Sequence, residues 1–121
     1  MCGIAGEVRF DGGIPDVAAV AAMCDTLARR GPDGSGGWQS GPVALGHRRL
    51  KIIDLRPEAG QPMANEDGRI EVVFNGEIYN HKKLRPGLVE RGHRFRSRSD
   101  TEVLLHLYEA VSYTHLTLPT N

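Results

Sequence analysis

"MCGIAGEVRF", residues 1–10, places a cysteine directly behind the initiator methionine and a β-leaning run directly behind the cysteine. Ile4–Phe10 is followed by Asp11-Gly12-Gly13, so the pattern predicts a first strand closed by a turn, with Cys2 at its leading end. A free cysteine has a pKa of about 8.5, so at neutral pH it needs a base or a positive neighbour to act as a nucleophile. Removing Met1, which a small second residue permits, leaves an α-amine with a pKa of about 7.7–8.0 on the same residue as the thiol. Base and nucleophile then share one amino acid, which is the logic of N-terminal nucleophiles. The plainer reading of the same letters is a buried residue of a first strand, and the rest of the chain has to decide between them.

The chain is 121 residues long, enough for one small domain. Its 40% apolar and 25% charged content is that of an ordinary globular protein. Lys plus Arg and Asp plus Glu are 15 each, so composition gives no case for nucleic acid or an anionic membrane as partner. No segment approaches the roughly 20 apolar residues of a spanning helix, and no basic-then-apolar secretory signal opens the chain. The expectation is a cytoplasmic protein whose two cysteines are free thiols.

Asp16 caps a predicted helix, "DVAAVAAMCDTLARR", with Val17, Val20, Cys24 and Leu27 on one face, so Cys24 is expected in the core as a small hydrophobe. Arg30–Gly37, "RGPDGSGG", is expected to be an irregular loop. Strand patterns run over Val43–Asp54 and Arg69–Asn80 with a loop between them. His81–Gly92 is a predicted helix capped by Asn80, with a kink or early end at Pro86-Gly87. Ser99 and Glu102 stand in capping-box spacing ahead of a helix through Val103, Leu104 and Leu107 to Ala110. The five histidines show no ligand spacing with a cysteine or a carboxylate pair, so no metal site is expected. "GPDGSGG" lacks the Gly-Lys-Ser/Thr of a phosphate loop.

The last stretch, "VSYTHLTLPT", would by itself pass as an edge strand closed by Pro119. Charges, regular up to Glu109, vanish after it, and the decapeptide resembles the conceptual translation of a sequencing-library adapter. Residues 111–121 are therefore set aside as an adapter-derived tail.

Six blocks in order, "MCGIAG", "RRGPDGSG", "LGHRRLKIIDL", "GQPM", "VFNGEIYNH" and "SDTEVLLHLYE", resemble the class II glutamine amidotransferases, most closely the glutamine-hydrolysing asparagine synthetase family. The resemblance covers residues 1–110, as the N-terminal part of a type-2 glutamine amidotransferase domain. It departs at Arg30, in the stretch where that branch more often has His-Arg-Gly-Pro, and at Pro86-Gly87. It implies that Cys2 is the nucleophile and that Asn75 and Gly76 form the oxyanion hole, through a side-chain amide and a backbone N–H. Arg49 would grip the α-carboxylate of L-glutamine, a task suited to a planar guanidinium. Asp100, assisted by Glu77, would bind its α-ammonium, and backbone groups around Ile52 and Ile53 would line the pocket. Each residue also has a plainer reading. Asn-Gly between "VVF" and "EIY" is a strong hairpin signal, Arg49 could be a solvent-facing strand arginine, and Asp100 suits a helix N-terminus.

The fold implied is α+β, the four-layer αββα sandwich of antiparallel sheets of N-terminal nucleophile hydrolases, incomplete in this chain and with an exposed sheet face or edge. The implied activity is the glutaminase half of an asparagine synthetase. Ammonia would pass to a C-terminal synthetase domain that uses ATP and Mg²⁺ to amidate aspartate, and a homodimer of the full-length protein is an open arrangement. This fragment needs no cofactor and, with Met1 attached, is expected to be inactive. The alternatives are an exosortase-associated, phosphoribosyl or hexosamine amidotransferase, or a catalytically silent assembly module.

Overall fold

A computed structural model of the chain describes residues 1–117, the last five by their backbone alone. Among the described residues, two antiparallel sheets and three α-helices make an α+β fold. The larger sheet has the order β1-β3-β2, formed by β1 (Gly3–Val8), β2 (Gly34–Ser40) and β3 (Val43–Arg49). Gly3 pairs with Arg48 and Val8 with Val43 on one side of β3, and Gly34 pairs with Arg49 and Ser40 with Val43 on the other. The smaller sheet pairs β4 (Met63–Ala64) with β5 (Glu71–Val72).

Strand alternation gives the larger sheet two different faces. One carries the small residues Gly3, Ala44 and Gly46, and α1 (Val17–Thr26) lies against it with Val20 and Cys24 buried. A Cβ at Gly46 would run into Cys24 Sγ and sit 3.3 Å from Val20 Cγ1, so the glycine sets how closely helix and sheet approach. Asp16 caps α1 as expected, its carboxylate accepting the Ala19 N–H at 3.0 Å. Val17, expected on the buried face, is instead 52% exposed, at the first residue of α1.

The opposite face carries Cys2 and Arg49 at one end, then Ile4 paired with His47, and Val8 paired with Val43 at the other end. Ile4 and Val8 are each 48% exposed, the open sheet face that the sequence predicts. Among the described residues, no helix is long and apolar enough to cross a membrane.

Several local expectations change. Gly34–Gly37, expected in a loop, belong to β2; a Cβ at Gly36 would strike the Gln61 carbonyl oxygen, so that glycine serves close approach rather than a turn. β3 stops at Arg49 rather than Asp54, since the next amides leave the ladder: Leu50 N–H donates to Cys2 Sγ and Lys51 N–H to Asp33 Oδ2. The strand expected over Arg69–Asn80 shrinks to β5 for the same reason. Phe74 N–H donates to Gln61 Oε1 and Ile78 N–H to Asp100 Oδ2, so these amides serve side chains instead of a neighbouring strand. No hairpin turn forms at Asn75-Gly76, and neither residue has the positive φ that the favoured type I′ turn requires.

Helix α2 (His81–Glu90) starts without a side-chain bond from Asn80, whose φ of −98° and ψ of 19° lie outside the extended region a capping residue adopts. It runs through Pro86-Gly87 to Glu90 rather than ending there. Buried Leu88 anchors it, and Arg85 donates to Ser97 O at 2.7 Å while its guanidinium stacks 4.4 Å over the Phe95 ring. In α3 (Asp100–Thr117), Ser99 Oγ accepts the Thr101 N–H, but Glu102 does not close the expected capping box. Glu102 turns instead to the Ser97 N–H and hydroxyl and the Arg96 N–H, and Ser97 Oγ takes the Ser99 N–H. The α3 backbone continues past Ala110, so Val111–Thr117 is helical rather than an edge strand. The rest of the stretch set aside as a tail, 118–121, lies outside the described residues.

Candidate active site

A cavity of about 430 Å³ opens where the leading end of β1, the trailing end of β3, the 50–61 segment, the 74–79 segment and the first turn of α3 meet. All eight residues singled out from sequence line it: Cys2, Arg49, Ile52, Ile53, Asn75, Gly76, Glu77 and Asp100. They come from five separate stretches of chain, and β-pairing is what joins the first two. The β1–β3 register that sets Gly3 opposite Arg48 carries Cys2 to the end of β3. There Cys2 Sγ accepts the Leu50 N–H at 3.3 Å, and the thiol lies 3.7 Å from Leu50 O. Arg30 Nε donates to Cys2 O at 3.2 Å, tying the loop after α1 to the start of the chain.

Arg49 is buried, 9% exposed, which removes its reading as a solvent-facing strand residue. Its guanidinium donates to Arg56 O at 2.9 Å and to Asp54 O, using two of its five N–H groups to pin the 54–56 segment. The same segment is fixed from below by Asp54. Its buried carboxylate accepts from the Arg56 guanidinium, then from the Arg98 N–H at 2.7 Å and the Arg56 N–H, which together hold it well below the usual carboxylate range. Asp100 is 4% exposed, and its Oδ2 accepts the Ile78 N–H at 2.8 Å. It therefore ties the 74–79 segment to α3 as well as lining the cavity.

A thiol beside a buried guanidinium, a short Asn-Gly segment and two carboxylates form a set suited to a small zwitterion whose carbonyl is attacked by sulfur. A family model described as a glutamine amidotransferase domain matches residues 1–118. The chain belongs to the glutamine amidotransferase domain family. Among curated relatives, it is 45% identical over 112 residues to asparagine synthetase [glutamine-hydrolyzing] 3 of Bacillus subtilis, covering 89% of this chain and 18% of that protein. It is 46% identical over 120 residues to asparagine synthetase [glutamine-hydrolyzing] of Sandersonia aurantiaca, covering 96% of this chain and 22% of that one. A third relative, from Brassica oleracea and of the same name, is 46% identical over 111 residues, covering 90% and 18%. The chain thus spans about a fifth of the length of these relatives.

Two residues that sequence reasoning passed over position the Asn75-Gly76 segment of this amidotransferase domain. Gln61 Oε1 accepts the Phe74 N–H at 2.6 Å while its Nε2 donates to Thr101 Oγ1 at 3.1 Å, so one side chain spans from the segment to α3. His47 is fully buried; its Nε2 lies 3.3 Å from Phe74 O, which assigns the N–H to that nitrogen. Burial lowers its pKa and keeps the ring neutral. Both backbone groups of Phe74 are thereby fixed one residue before Asn75. The signal for Gln61 was its place in the "GQPM" block. His47 carried none beyond inward strand alternation, because the partner that gives it a role is 27 residues away.

The glycines at 34–37 lie in β2 and do not open a helix, so they do not fit a phosphate cradle for ATP. The histidines that do approach carboxylates, His93 and His106, lie outside this cavity.

Proposed function

We propose that this chain is the leading part of a glutaminase that hydrolyses the side-chain amide of L-glutamine through a thioester at Cys2. The observation that carries the reading is the shared cavity of Cys2, Arg49, Asn75, Gly76 and Asp100. Met1, 68% exposed at the cavity mouth, is removed first, which frees the α-amine of Cys2. That amine takes the thiol proton, and sulfur attacks the amide carbon. The resulting oxyanion is held by the Asn75 side-chain amide and the Gly76 N–H. Collapse breaks the C–N bond, the amine passes its proton to the leaving nitrogen, and ammonia departs. Water then opens the thioester to glutamate. Arg49 and Asp100, with Glu77, hold the two charged ends of the amino acid.

In the whole protein, ammonia would reach a C-terminal synthetase domain that carries ATP and Mg²⁺ and amidates aspartate, which suits the similarity to glutamine-hydrolysing asparagine synthetases. Further strands of the domain would cover Ile4 and Val8 and complete a four-layer sandwich. The cytoplasm is the expected compartment, and a homodimer of the full-length protein is an assembly to be measured. We also propose that the native sequence differs after about Ala110; sequencing an independent genomic clone across that codon tests this, and finding the same codons refutes it.

The direct test of the glutaminase reading treats full-length protein, processed at Met1, with a glutamine-like chloroketone or diazoketone. Stoichiometric labelling at Cys2, located by mass spectrometry and lost in Cys2→Ala, is expected. An unlabelled Cys2 would instead support a silent assembly module.

A further inference from the structure

We propose that Glu66, His93, His106 and Glu109 form a binding site for a divalent cation of the zinc class, separate from the cavity that holds Cys2. Each of the four offers one ligand atom, and these atoms all lie within 4.8 Å of one another. They converge from three places: Glu66 in the β4–β5 connection, His93 in the segment between α2 and α3, and His106 and Glu109 one turn apart on α3.

The spacing is that of a coordination shell. Zinc binds imidazole nitrogen and carboxylate oxygen at about 2.0–2.2 Å in a tetrahedron, whose edges are then about 3.4 Å. His93 Nδ1 lies 3.1 Å from His106 Nδ1 and 3.4 Å from Glu109 Oε1, and His106 Nδ1 lies 3.6 Å from Glu66 Oε1. Two neutral imidazoles with two carboxylates also balance a charge of +2, and the nitrogen–oxygen mixture suits zinc better than calcium or magnesium.

Proton placement points the same way. His106 Nε2 faces Glu102 Oε2 at 3.4 Å, so it carries the N–H and leaves a lone pair on Nδ1. This is the carboxylate–histidine pairing that orients metal-bound imidazoles. Glu102 is itself fixed by the Arg96 and Ser97 amides and the Ser97 hydroxyl, which makes that outer partner rigid. Asn65 Nδ2 donates to Glu109 Oε2 at 2.6 Å, orienting that carboxylate while leaving Oε1 turned to His93. His106 Nδ1 and Glu109 Oε1 compete for the single N–H that His93 can offer, a lone-pair repulsion, while Glu66 Oε1 accepts the Arg94 N–H at 2.6 Å and keeps a further lone pair for an ion. A bound cation turns that repulsion into coordination. His106 is 1% exposed, whereas the Glu66 and Glu109 side chains are 39% and 32% exposed, which leaves an entry path.

An ion there would clamp two segments, the β4–β5 connection and the stretch between α2 and α3, to the helix whose first turn lines the cavity. The test uses the full 121-residue chain carrying Cys2→Ser, which removes the half-buried thiol as a competing ligand. Zn²⁺ is titrated by calorimetry, and Co²⁺ is followed by visible absorption. One ion per chain is expected, with the intense spectrum of tetrahedral cobalt. Glu66→Gln and Glu109→Gln, both at part-exposed positions, should each weaken binding at least tenfold while circular dichroism stays unchanged, and Glu102→Gln should weaken it about 10–100-fold. Absence of stoichiometric binding, an octahedral cobalt spectrum, or affinity indifferent to Glu66→Gln and Glu109→Gln overturns the proposal. None of these outcomes bears on glutamine hydrolysis, which is read separately from Cys2 labelling.

Discussion

Replacing Glu102 with glutamine should expose a strong local electrostatic device in the fold. The carboxylate is 2% exposed, and burial by itself would raise its pKa. Hydrogen bonds from His106, the Ser97 hydroxyl and the Arg96 and Ser97 amides outweigh burial and bring it from the usual 4.5 to about 2. At about 1.4 kcal/mol per pH unit, the ionised form stabilises the fold by about 3 kcal/mol relative to the protonated one. The folded pKa lies below the unfolded one, so this contribution is fully present above pH 4.5 and is lost as the pH falls towards 2. Glutamine keeps the shape but offers one acceptor oxygen, and its amide group meets N–H donors. Urea denaturation of parent and Glu102→Gln at pH 7, 5, 4 and 3 reads the difference. The gap should be largest at pH 7, hold to pH 5, and shrink by more than half by pH 3. Asp54, also held low, loses stability in the same acid range in both proteins and cancels in the comparison. A gap that stays constant from pH 7 to pH 3 would show that Glu102 acts through packing rather than charge, and the reasoning would fail.

Further measurements probe other parts of the molecule. Gly46→Ala should lower stability by about 1–3 kcal/mol, because the new methyl overlaps Cys24 Sγ, and adding Cys24→Ala should recover much of the loss in thermal melts. Asp16→Ala should cost about 1 kcal/mol through the lost bond to the Ala19 N–H, with no change in Cys2 labelling. Arg49→Lys cannot reach both the Asp54 and Arg56 carbonyls; a loss of about 1.5–3 kcal/mol in chloroketone capture at saturating enzyme is expected, and unchanged labelling kinetics would remove Arg49 from the site. Asn75→Ala in the processed full-length protein should slow glutamine hydrolysis about 100- to 1000-fold while leaving the melting temperature nearly unchanged.

Local rules carried the reading where the cause of a structure is itself local. The cap at Asp16, the buried spacing of Val20 and Cys24, and the strand behind Cys2 depend on neighbours within a few residues, so periodicity and capping chemistry reveal them. The errors fall where a backbone group leaves its own segment for a distant side chain. β3 and β5 end early because Leu50, Phe74 and Ile78 N–H groups find Cys2, Gln61 and Asp100. Gly36 looks like a turn residue because nothing nearby in sequence announces the Gln61 carbonyl that requires it.

The sequence by itself determined the chemical inventory: a thiol beside a removable methionine, a guanidinium, an Asn-Gly pair and a carboxylate, in ordered blocks that name a family. Tertiary structure alone decided that these groups face one cavity, that Asn75-Gly76 is held open by His47 and Gln61 instead of closing a hairpin, and that two histidines meet two glutamates across three segments. The physical reason is distance. Side-chain chemistry and helix periodicity are fixed within a few residues, whereas the meeting of atoms from positions 2 and 50, or 66 and 106, depends on how strands register and helices dock, and neither leaves a mark in the spacing of the letters.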